Sequence, residues 1–360
     1  MMRGGSCLRT RRGETTRDTT KKIRSGAAGV LEVILGLNDV YSLFSRHSIM
    51  TKLYPKRKPY HTKHYDMGND IKVYVEFYGN PKGFPAIYLH GGPGDKCRPT
   101  NAQLFNPKKY NIVLMDQRGS GKSTPGTKHN TTQNMIQDME VIREDIGENK
   151  WLVTGGSWGA ALAMLYAQAH PEHTAGLILR GFTNMYWHNE FDDCVIRGMN
   201  PQRLDRMYSS VGLNYLKDTE KQLSRAYTKK LKSKNKKTRK KYLKLFNDTS
   251  DHHITSKIPT DSYTDMLNGA IVYNHYLMHD WFLKPKQMVL KSNIKKVKHI
   301  PTTFVHGRFD FICPMEMAWE MHKQLPKSKM VVVQAGHSVC DKEVAGAVTK
   351  ASDEFKIPKT

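Results

Sequence analysis

Residues 151–160 have the sequence Trp-Leu-Val-Thr-Gly-Gly-Ser-Trp-Gly-Ala. A short apolar run precedes the serine and an Ala-rich helical period follows it, so Gly155-x-Ser157-x-Gly159 lies between a strand and a helix. Ser157 would then sit on a sharp, strained turn, which requires very small residues two before and two after it. The N–H groups at the start of the following helix would point at the site where negative charge develops. The pattern predicts a nucleophilic serine.

The chain around this turn alternates between strands and helices. Short apolar runs typical of buried parallel strands recur along it, at Ile71–Tyr78, Ala86–Leu89, Asn111–Met115, Trp151–Thr154, Gly176–Leu179, Thr302–Val305 and Met330–Val333. Helical periods lie between them at Thr132–Ile146, Trp158–Ala169, Met315–Gln324 and Asp341–Phe355. This alternation predicts an α/β fold with a mostly parallel sheet flanked by helices.

Two parts of the chain depart from that alternation. Residues 1–52 carry ten basic and four acidic residues, and their first half has almost no large apolar side chains, so we expect a basic, disordered extension. Residues 183–300 are helix-like and Lys-rich, and they separate two strands of the sheet. They are interpreted as an inserted helical cap, which leaves residues 53–182 and 301–360 as the α/β core.

A hydrolytic serine needs a histidine as its base and an acid to orient that histidine. In such a fold the three residues occur along the chain in the order serine, acid, histidine. Asp310 comes after the strand at Thr302–Val305, and His337 comes after the last strand. Both therefore project from the carboxyl edge of the sheet, as Ser157 does. We predict that His337 accepts the proton of Ser157 and that Asp310 orients the imidazole; Asp341 and Asp280 are the rival acids.

An oxyanion hole needs two backbone N–H groups. One is expected from Trp158, which follows the nucleophile. The other is expected from a loop after an early strand, where the sequence is His90-Gly-Gly-Pro-Gly94. Because glycine lets the backbone approach a ligand closely, Gly92 is the candidate.

Several of these stretches together resemble the prolyl iminopeptidase family of α/β-hydrolases. They occur in family order from about Leu53 to the C-terminus, and are His90-Gly-Gly-Pro-Gly94, Asp116-Gln-Arg-Gly-Ser-Gly-Lys-Ser-Thr-Pro125, Gly155-Gly-Ser-Trp-Gly159, Tyr166-Ala-Gln-Ala-His-Pro171, Leu179-Arg-Gly181, His306-Gly-Arg-Phe-Asp310 and Gly336-His337-Ser338. The resemblance implies an α/β-hydrolase fold and removal of an N-terminal residue, preferentially proline, from short peptides. It also implies acyl-enzyme chemistry without a metal or cofactor.

The resemblance also suggests residues around the substrate. His90 and Arg118 are candidates for the substrate site; alternatively, Asp116 and Arg118 brace a loop by a salt bridge. Family caps usually present glutamates to the substrate amino group, but Tyr273 stands at one of these positions and, by a loose alignment, Asn247 at the other. An esterase or amidase of altered acyl specificity is therefore the alternative function. Asp248, Asp251 and Asp280 are possible substitutes for the glutamates.

Charge is the unusual feature of the composition. The 360 residues contain 57 Lys and Arg against 33 Asp and Glu, a net charge of +24. Residues 217–244 alone hold thirteen basic side chains. The favoured interpretation is a helical face whose lysines are solvated, and the alternative is a surface that binds polyanions without sequence specificity. A polyanion-binding protein with a vestigial triad is the least favoured function.

The remaining composition limits the class of protein and its location. No run of 18 apolar residues is present, which argues against a membrane span. The five cysteines are scattered without a C-x-x-C pair, so neither a zinc ribbon nor a disulfide framework is indicated. We expect a cytoplasmic enzyme; the basic N-terminus makes mitochondrial targeting the alternative.

Overall fold

The computed structural model describes residues 53–185, 201–250 and 261–358, with side chains other than those of residues 248–250. The expected basic extension at 1–52 lies outside these ranges, as does Asp251. An eight-stranded sheet forms the centre of the described chain, and its strands are β1 (His61–Asp66), β2 (Lys72–Gly79), β3 (Phe84–Leu89), β4 (Tyr110–Asp116), β5 (Trp151–Gly156), β6 (Thr174–Arg180), β7 (Thr302–Gly307) and β8 (Ser328–Val333).

The strands follow the order β1-β2-β4-β3-β5-β6-β7-β8 across the sheet. Strand β2 pairs antiparallel with β1 and β4, and the other neighbours are parallel. The predicted α/β fold with a mostly parallel sheet is therefore confirmed. Because parallel strands end at one edge, the loops after β3, β5, β7 and β8 meet there.

Helices cover both faces of the sheet. Along β3, Ile87 and Leu89 belong to one buried cluster while Ala86 and Tyr88 belong to the other, as the two-residue period of a strand requires. The helices are α1 (Thr132–Asp145), α2 (Trp158–Ala169), α3 (Pro201–Ser209), α4 (Glu220–Leu231), α5 (Lys236–Ser250), α6 (Tyr263–Met278), α7 (Lys291–Val297), α8 (Met315–Gln324) and α9 (Lys342–Glu354). Short 3₁₀ turns occur at Pro99–Leu104, Pro171–His173, Asp280–Phe282 and Gln287–Val289.

The described part of the chain between β6 and β7 is helical. Helices α3 to α6 bury a cluster of their own, which includes Met207, Tyr227 and Leu243. The second half of α6 instead joins the main core through Val272 and Tyr276. The helices predicted to be a cap are thus anchored to the sheet domain by α6.

The basic stretch forms much of α4 and α5. Its interleaved apolar residues, such as Leu223, Tyr227 and Tyr242, point into the helical cluster and are buried. Ten of its thirteen cationic side chains are exposed, namely Lys217, Arg225, Lys229, Lys232, Lys234, Lys236, Lys237, Lys240, Lys241 and Lys244. We call these ten side chains the basic surface.

None of the helices in the described ranges is long and apolar enough to cross a membrane.

Candidate active site

Ser157 occupies a strained turn between β5 and α2. Its backbone has φ 57° and ψ −126°, a conformation that a residue with a side chain rarely adopts. A Cβ atom at Gly155 would collide with the carbonyl of Gly159, and one at Gly159 would collide with the carbonyl of Leu89. The two glycines therefore allow the tight turn that presents Ser157 at the carboxyl edge of the sheet.

Asp310 and His337 meet at the same edge. Nδ1 of His337 lies 2.8 Å from Oδ2 of Asp310, while Oδ1 of Asp310 accepts hydrogen bonds from the N–H groups of Cys313 at 2.8 Å and Ile312 at 3.1 Å. Burial would raise the pKa of Asp310, but the neighbouring imidazoles of His337 and His306 and the bond from Cys313 outweigh it and lower that pKa. The carboxylate therefore stays ionised and holds the proton of His337 on Nδ1.

Ser157 and His337 are not hydrogen-bonded to each other in this structure. Oγ of Ser157 instead lies 3.9 Å from Sγ of Cys313. Nε2 of His337, the nitrogen that would accept the serine proton, lies 3.2 Å from Nη1 of Arg180. The hydrogen bond between a catalytic serine and its base often tightens only in the complex with substrate, so this geometry does not argue against His337 as the base.

A cavity of about 500 Å³ opens over Ser157. Most of the site residues predicted from the sequence line it, namely His90, Gly92, Ser157, Trp158, Asn247, Tyr273 and His337. Asp310 lies behind His337 and is 6% exposed, as expected of an orienting acid. The rival acids lie elsewhere: Asp341 accepts a bond from the N–H of Gly336, and Asp280 pairs with Lys221.

The glycine-rich loop after β3 approaches the nucleophile. A Cβ atom added to Gly91 would lie 3.2 Å from Cβ of Ser157 and 3.8 Å from its Oγ. Gly92 has φ +107°, in the region that favours glycine. The backbone N–H groups of Gly92 and Trp158 remain our prediction for the oxyanion hole.

His90 and Arg118 have mainly bracing contacts. Nε2 of His90 accepts a bond from the N–H of Gln117 at 3.0 Å, and burial lowers the pKa of this histidine. Arg118 makes two bonds of 2.6 Å to Asp138 of α1, with both side chains buried, and it does not line the cavity.

The other residue of the predicted salt bridge has a different role in the structure. Asp116 accepts bonds from the N–H groups of Cys97 at 2.8 Å and Lys122 at 2.9 Å, rather than pairing with Arg118. Burial raises the pKa of Asp116. Loop bracing thus involves two separate acids, Asp116 and Asp138.

Tyr273 and Asn247 lie on the cavity wall formed by the helices. The ring of Tyr273 packs edge-on against Phe246 and Trp281, each with ring centroids 5.8 Å away. Nδ2 of Asn247 lies 3.2 Å from Sδ of Met266. This wall is therefore largely aromatic and uncharged around Tyr273 and Asn247.

Carboxylates line other parts of the cavity. They are Asp95, Glu220, Asp261 and Asp265. Lys96 contacts Asp261 at 3.1 Å and Asp265 at 2.7 Å, and Arg98 contacts Asp95 and Asp261. The cavity thus contains charged groups of both signs.

Sequence reasoning did not assign roles to Arg180 or Cys313. Arg180 occurs in the Leu179-Arg-Gly181 stretch, so a signal was present, but its contact with Nε2 of His337 depends on the folded geometry. Cys313 is three residues after Asp310, and only the turn between them brings its sulfur to Ser157.

Potential metal ligands lie away from this site. In the described ranges, one group of His, Cys, Asp or Glu side chains could converge on an ion, namely Glu140, His170 and His173. The guanidinium of Arg143 already binds both oxygens of Glu140 at 2.9 Å. His170 and His173 follow the C-terminal end of α2, whereas Ser157 precedes its N-terminal end, so the group is remote from the nucleophile.

Comparisons with known proteins agree with this geometry. A family model described as the alpha/beta hydrolase fold matches residues 85–344. The chain is 35% identical over 336 residues to a probable proline iminopeptidase of Leptolyngbya boryana, with 86% of this chain and 99% of that protein covered. It is 34% identical to the proline iminopeptidase of Neisseria gonorrhoeae, with 84% and 98% covered, and 32% identical to that of Arabidopsis thaliana, with 93% and 90% covered.

Solved structures show the same fold at lower identity. An esterase from Exiguobacterium antarcticum superposes with a TM-score of 0.52 at 19% identity, covering 81% of this chain and 98% of that one. A proline iminopeptidase-related protein from Thermus thermophilus gives 0.50 at 19% identity, covering 81% and 96%. At this identity the likeness concerns the fold alone.

Proposed function

The chain belongs to the proline iminopeptidase family of α/β-hydrolases, and on that premise we propose that it is a serine peptidase that releases an N-terminal residue, preferentially proline, from short peptides. The observation that carries the proposal is the 2.8 Å bond between Asp310 and His337, where His337 and Ser157 line the same cavity. We infer that a cavity of about 500 Å³, lined on one side by the helices, suits a small substrate such as the end of a peptide.

The proposed reaction proceeds through an acyl-enzyme. Ser157 Oγ attacks the carbonyl carbon of the first residue while Nε2 of His337 takes the serine proton. The backbone N–H groups of Trp158 and Gly92 stabilise the oxyanion. Nε2 then gives the proton to the leaving nitrogen as the C–N bond breaks. Water, deprotonated by the same imidazole, then attacks the acyl carbon. The ester bond to Oγ breaks, the imidazolium returns the proton to Oγ, and the N-terminal residue leaves.

Recognition of the substrate amino group must differ from the usual family pattern. Tyr273 and Asn247 offer a phenol and an amide in place of two carboxylates, and a hydrogen bond to a charged group contributes about 1.5–3 kcal/mol. Asp280 is paired with Lys221 and does not line the cavity. We propose that one of the cavity carboxylates, Asp95, Glu220, Asp261 or Asp265, binds the ammonium group.

The same two positions favour a second candidate function. An uncharged, partly aromatic wall around Tyr273 would accept an acyl group that has no free amine. An esterase or amidase with altered acyl specificity is therefore the alternative, with the same nucleophile and base.

A comparison of three substrates tests both candidates. The substrates are proline 4-nitroanilide, its N-blocked analogue and a simple 4-nitrophenyl ester, each measured with wild-type protein and with Ser157→Ala. A preference for free proline that disappears in Ser157→Ala is the expected result. Ester cleavage without that preference would contradict the aminopeptidase function and support the alternative.

The basic surface on α4 and α5 suggests a further contact. Acidic partners for its ten cations are absent from the ion pairs of the described residues. We propose that this surface binds polyanions weakly and without sequence specificity, as clustered lysines do. A catalytically inert polyanion-binding protein is the least favoured function, because Ser157, Asp310 and His337 are all present.

We also propose a cytoplasmic location. Cys97, Cys313 and Cys340 are free thiols, as expected where thiols are kept reduced. The mitochondrial alternative depends on residues 1–52, which lie outside the described ranges. Fluorescence of a full-length fusion in cells would distinguish the two locations.

A further inference from the structure

Arg180, the last residue of β6, lies against the catalytic imidazole. Its Nη1 donates to the backbone carbonyl of His337 at 2.8 Å and lies 3.2 Å from Nε2 of the same residue. Nε2 is the atom that must accept the proton of Ser157. The guanidinium therefore lies against the nitrogen that is predicted to act as the base.

The space that holds this guanidinium depends on a glycine. A Cβ atom at Gly156 would collide with the guanidinium of Arg180. Gly156 directly precedes the nucleophile and is not one of the two glycines that the turn itself requires. The second glycine of the Gly155-Gly-Ser157 stretch thus makes room for Arg180 beside Ser157.

Arg180 is a buried cation without a counter-ion in the described part of the chain. It is 8% exposed, it lines the cavity, and its Nε has no hydrogen-bond partner there. No carboxylate of those residues lies within ion-pair distance of it. A buried charge without a counter-ion is costly, so a ligand that supplies a negative charge here would be stabilised.

We propose that Arg180 binds the carboxylate of the leaving group, so that the preferred substrates are dipeptides. The carboxylate also draws the guanidinium away from Nε2 of His337, which frees that nitrogen for Ser157. This inference rests on the proposed function and deepens it by naming the substrate class.

Distances support a leaving-group carboxylate at this place. The nitrogen that leaves must come within hydrogen-bond distance of Nε2, about 3 Å, to receive its proton. In a dipeptide the carboxyl carbon lies two bonds from that nitrogen, about 2.5 Å away. Nη1 of Arg180 is 3.2 Å from Nε2, so the guanidinium and the carboxylate would lie near the same nitrogen and within reach of each other. A longer peptide places an uncharged amide there, which is a weaker acceptor.

The test compares two substrates that differ only in this group, prolyl-alanine and prolyl-alaninamide. We expect wild-type protein to have a kcat/KM about ten- to a hundred-fold higher for the free acid. Arg180→Met should bring the ratio to about one by slowing cleavage of the acid. Arg206→Met removes an exposed arginine from α3 and should keep the wild-type ratio.

Two results would overturn the proposal. One is a wild-type ratio near one. The other is an equal loss on both substrates in Arg180→Met, which would indicate an oxyanion-stabilising or structural role. Labelling of Ser157 by a fluorophosphonate reports whether that variant is folded. Arg180→Lys keeps the charge without the planar fork and should give an intermediate ratio, which provides a second variant if Arg180→Met does not fold.

A second substrate pair separates this proposal from the peptidase function. Acetyl-lactate and acetyl-lactamide are esters whose leaving groups carry the same carboxylate or amide. An Arg180-dependent preference for acetyl-lactate without peptide cleavage would support the carboxylate site and contradict the peptidase function. Equal cleavage of the two peptides would contradict the site and leave the peptidase function supported. Failure to cleave any of the four substrates would overturn both.

Discussion

Replacement of Asp310 by asparagine should disable the base by reversing its tautomer. Oδ1 of Asp310 accepts bonds from two backbone N–H groups, at 2.8 and 3.1 Å, and Oδ2 faces Nδ1 of His337. The asparagine oxygen must stay with the two backbone donors, so its NH2 group turns toward His337. Nδ1 then has to accept a hydrogen bond, and the imidazole proton moves to Nε2.

The misplaced proton makes two conflicts. Nε2 can no longer accept the proton of Ser157, and its new N–H meets the N–H of Arg180, which lies 3.2 Å away. In serine proteases with the same triad, this replacement lowers kcat by about 10⁴. We expect a loss of about 10³–10⁴, equivalent to about 4–5.5 kcal/mol of transition-state stabilisation.

The assay combines turnover with labelling of the nucleophile. We expect kcat for the best of the three chromogenic substrates and the rate of fluorophosphonate labelling to fall together in Asp310→Asn. Asp280→Asn is the matched control, because it removes an exposed carboxylate outside the cavity, and it should stay within about twofold of wild type. Thermal unfolding of each variant checks that the fold persists. A loss of less than tenfold in a folded Asp310→Asn protein would refute the assignment of Asp310.

Three further outcomes follow from other contacts. Arg143 and Tyr166 outweigh the burial of Glu140 and lower its pKa from 4.5 to about 2, so Glu140→Gln should lower the free energy of unfolding at pH 7 by about 2–3 kcal/mol. Because the pKa of Glu140 is lower in the folded than in the unfolded protein, the difference in the free energy of unfolding between wild type and Glu140→Gln should shrink as the pH falls from about 4.5 to 2. A difference that does not depend on pH in urea titrations, or an equal effect of Glu144→Gln, would contradict this. Asn247→Glu restores a carboxylate to the cavity wall and should raise kcat/KM for proline 4-nitroanilide at least tenfold, while Asn247→Gln should not; an unchanged value would place the ammonium site elsewhere. Four lysines of the basic surface, Lys229, Lys232, Lys236 and Lys240, can be replaced together by glutamine. This should lower the salt concentration needed to elute the protein from heparin without changing turnover. Unchanged elution would exclude this surface as the polyanion-binding site.

Much of the fold was predictable because most of the strands are buried on both faces and are therefore apolar along their length. The seven predicted runs all correspond to strands, and the helix at Met315–Gln324 has the predicted bounds. Strand β1 was not predicted, because it pairs only with β2 at the edge of the sheet and Tyr65 is its one buried residue. Its sequence is otherwise polar, so it lacks an apolar pattern.

The candidate site was predictable only in part. The order of the residues along the chain and their positions after strands predicted Ser157, Asp310 and His337, and the structure brings the three to the carboxyl edge of the sheet. Contacts between residues far apart in the chain could not be predicted from the sequence. Arg118, for example, pairs with Asp138, which lies twenty positions later on α1. The position of Arg180 over Gly156 likewise depends on how two neighbouring strands end, which no local pattern encodes.

Covalent labelling tests the central claim most directly. The protein should be incubated with a fluorophosphonate, its intact mass measured, and the modified peptide identified beside a Ser157→Ala control. The account predicts a single adduct, located on Ser157 and absent from the variant. A wild-type protein that stays unmodified, or an adduct that persists in Ser157→Ala, would contradict the assignment of Ser157 as the activated nucleophile.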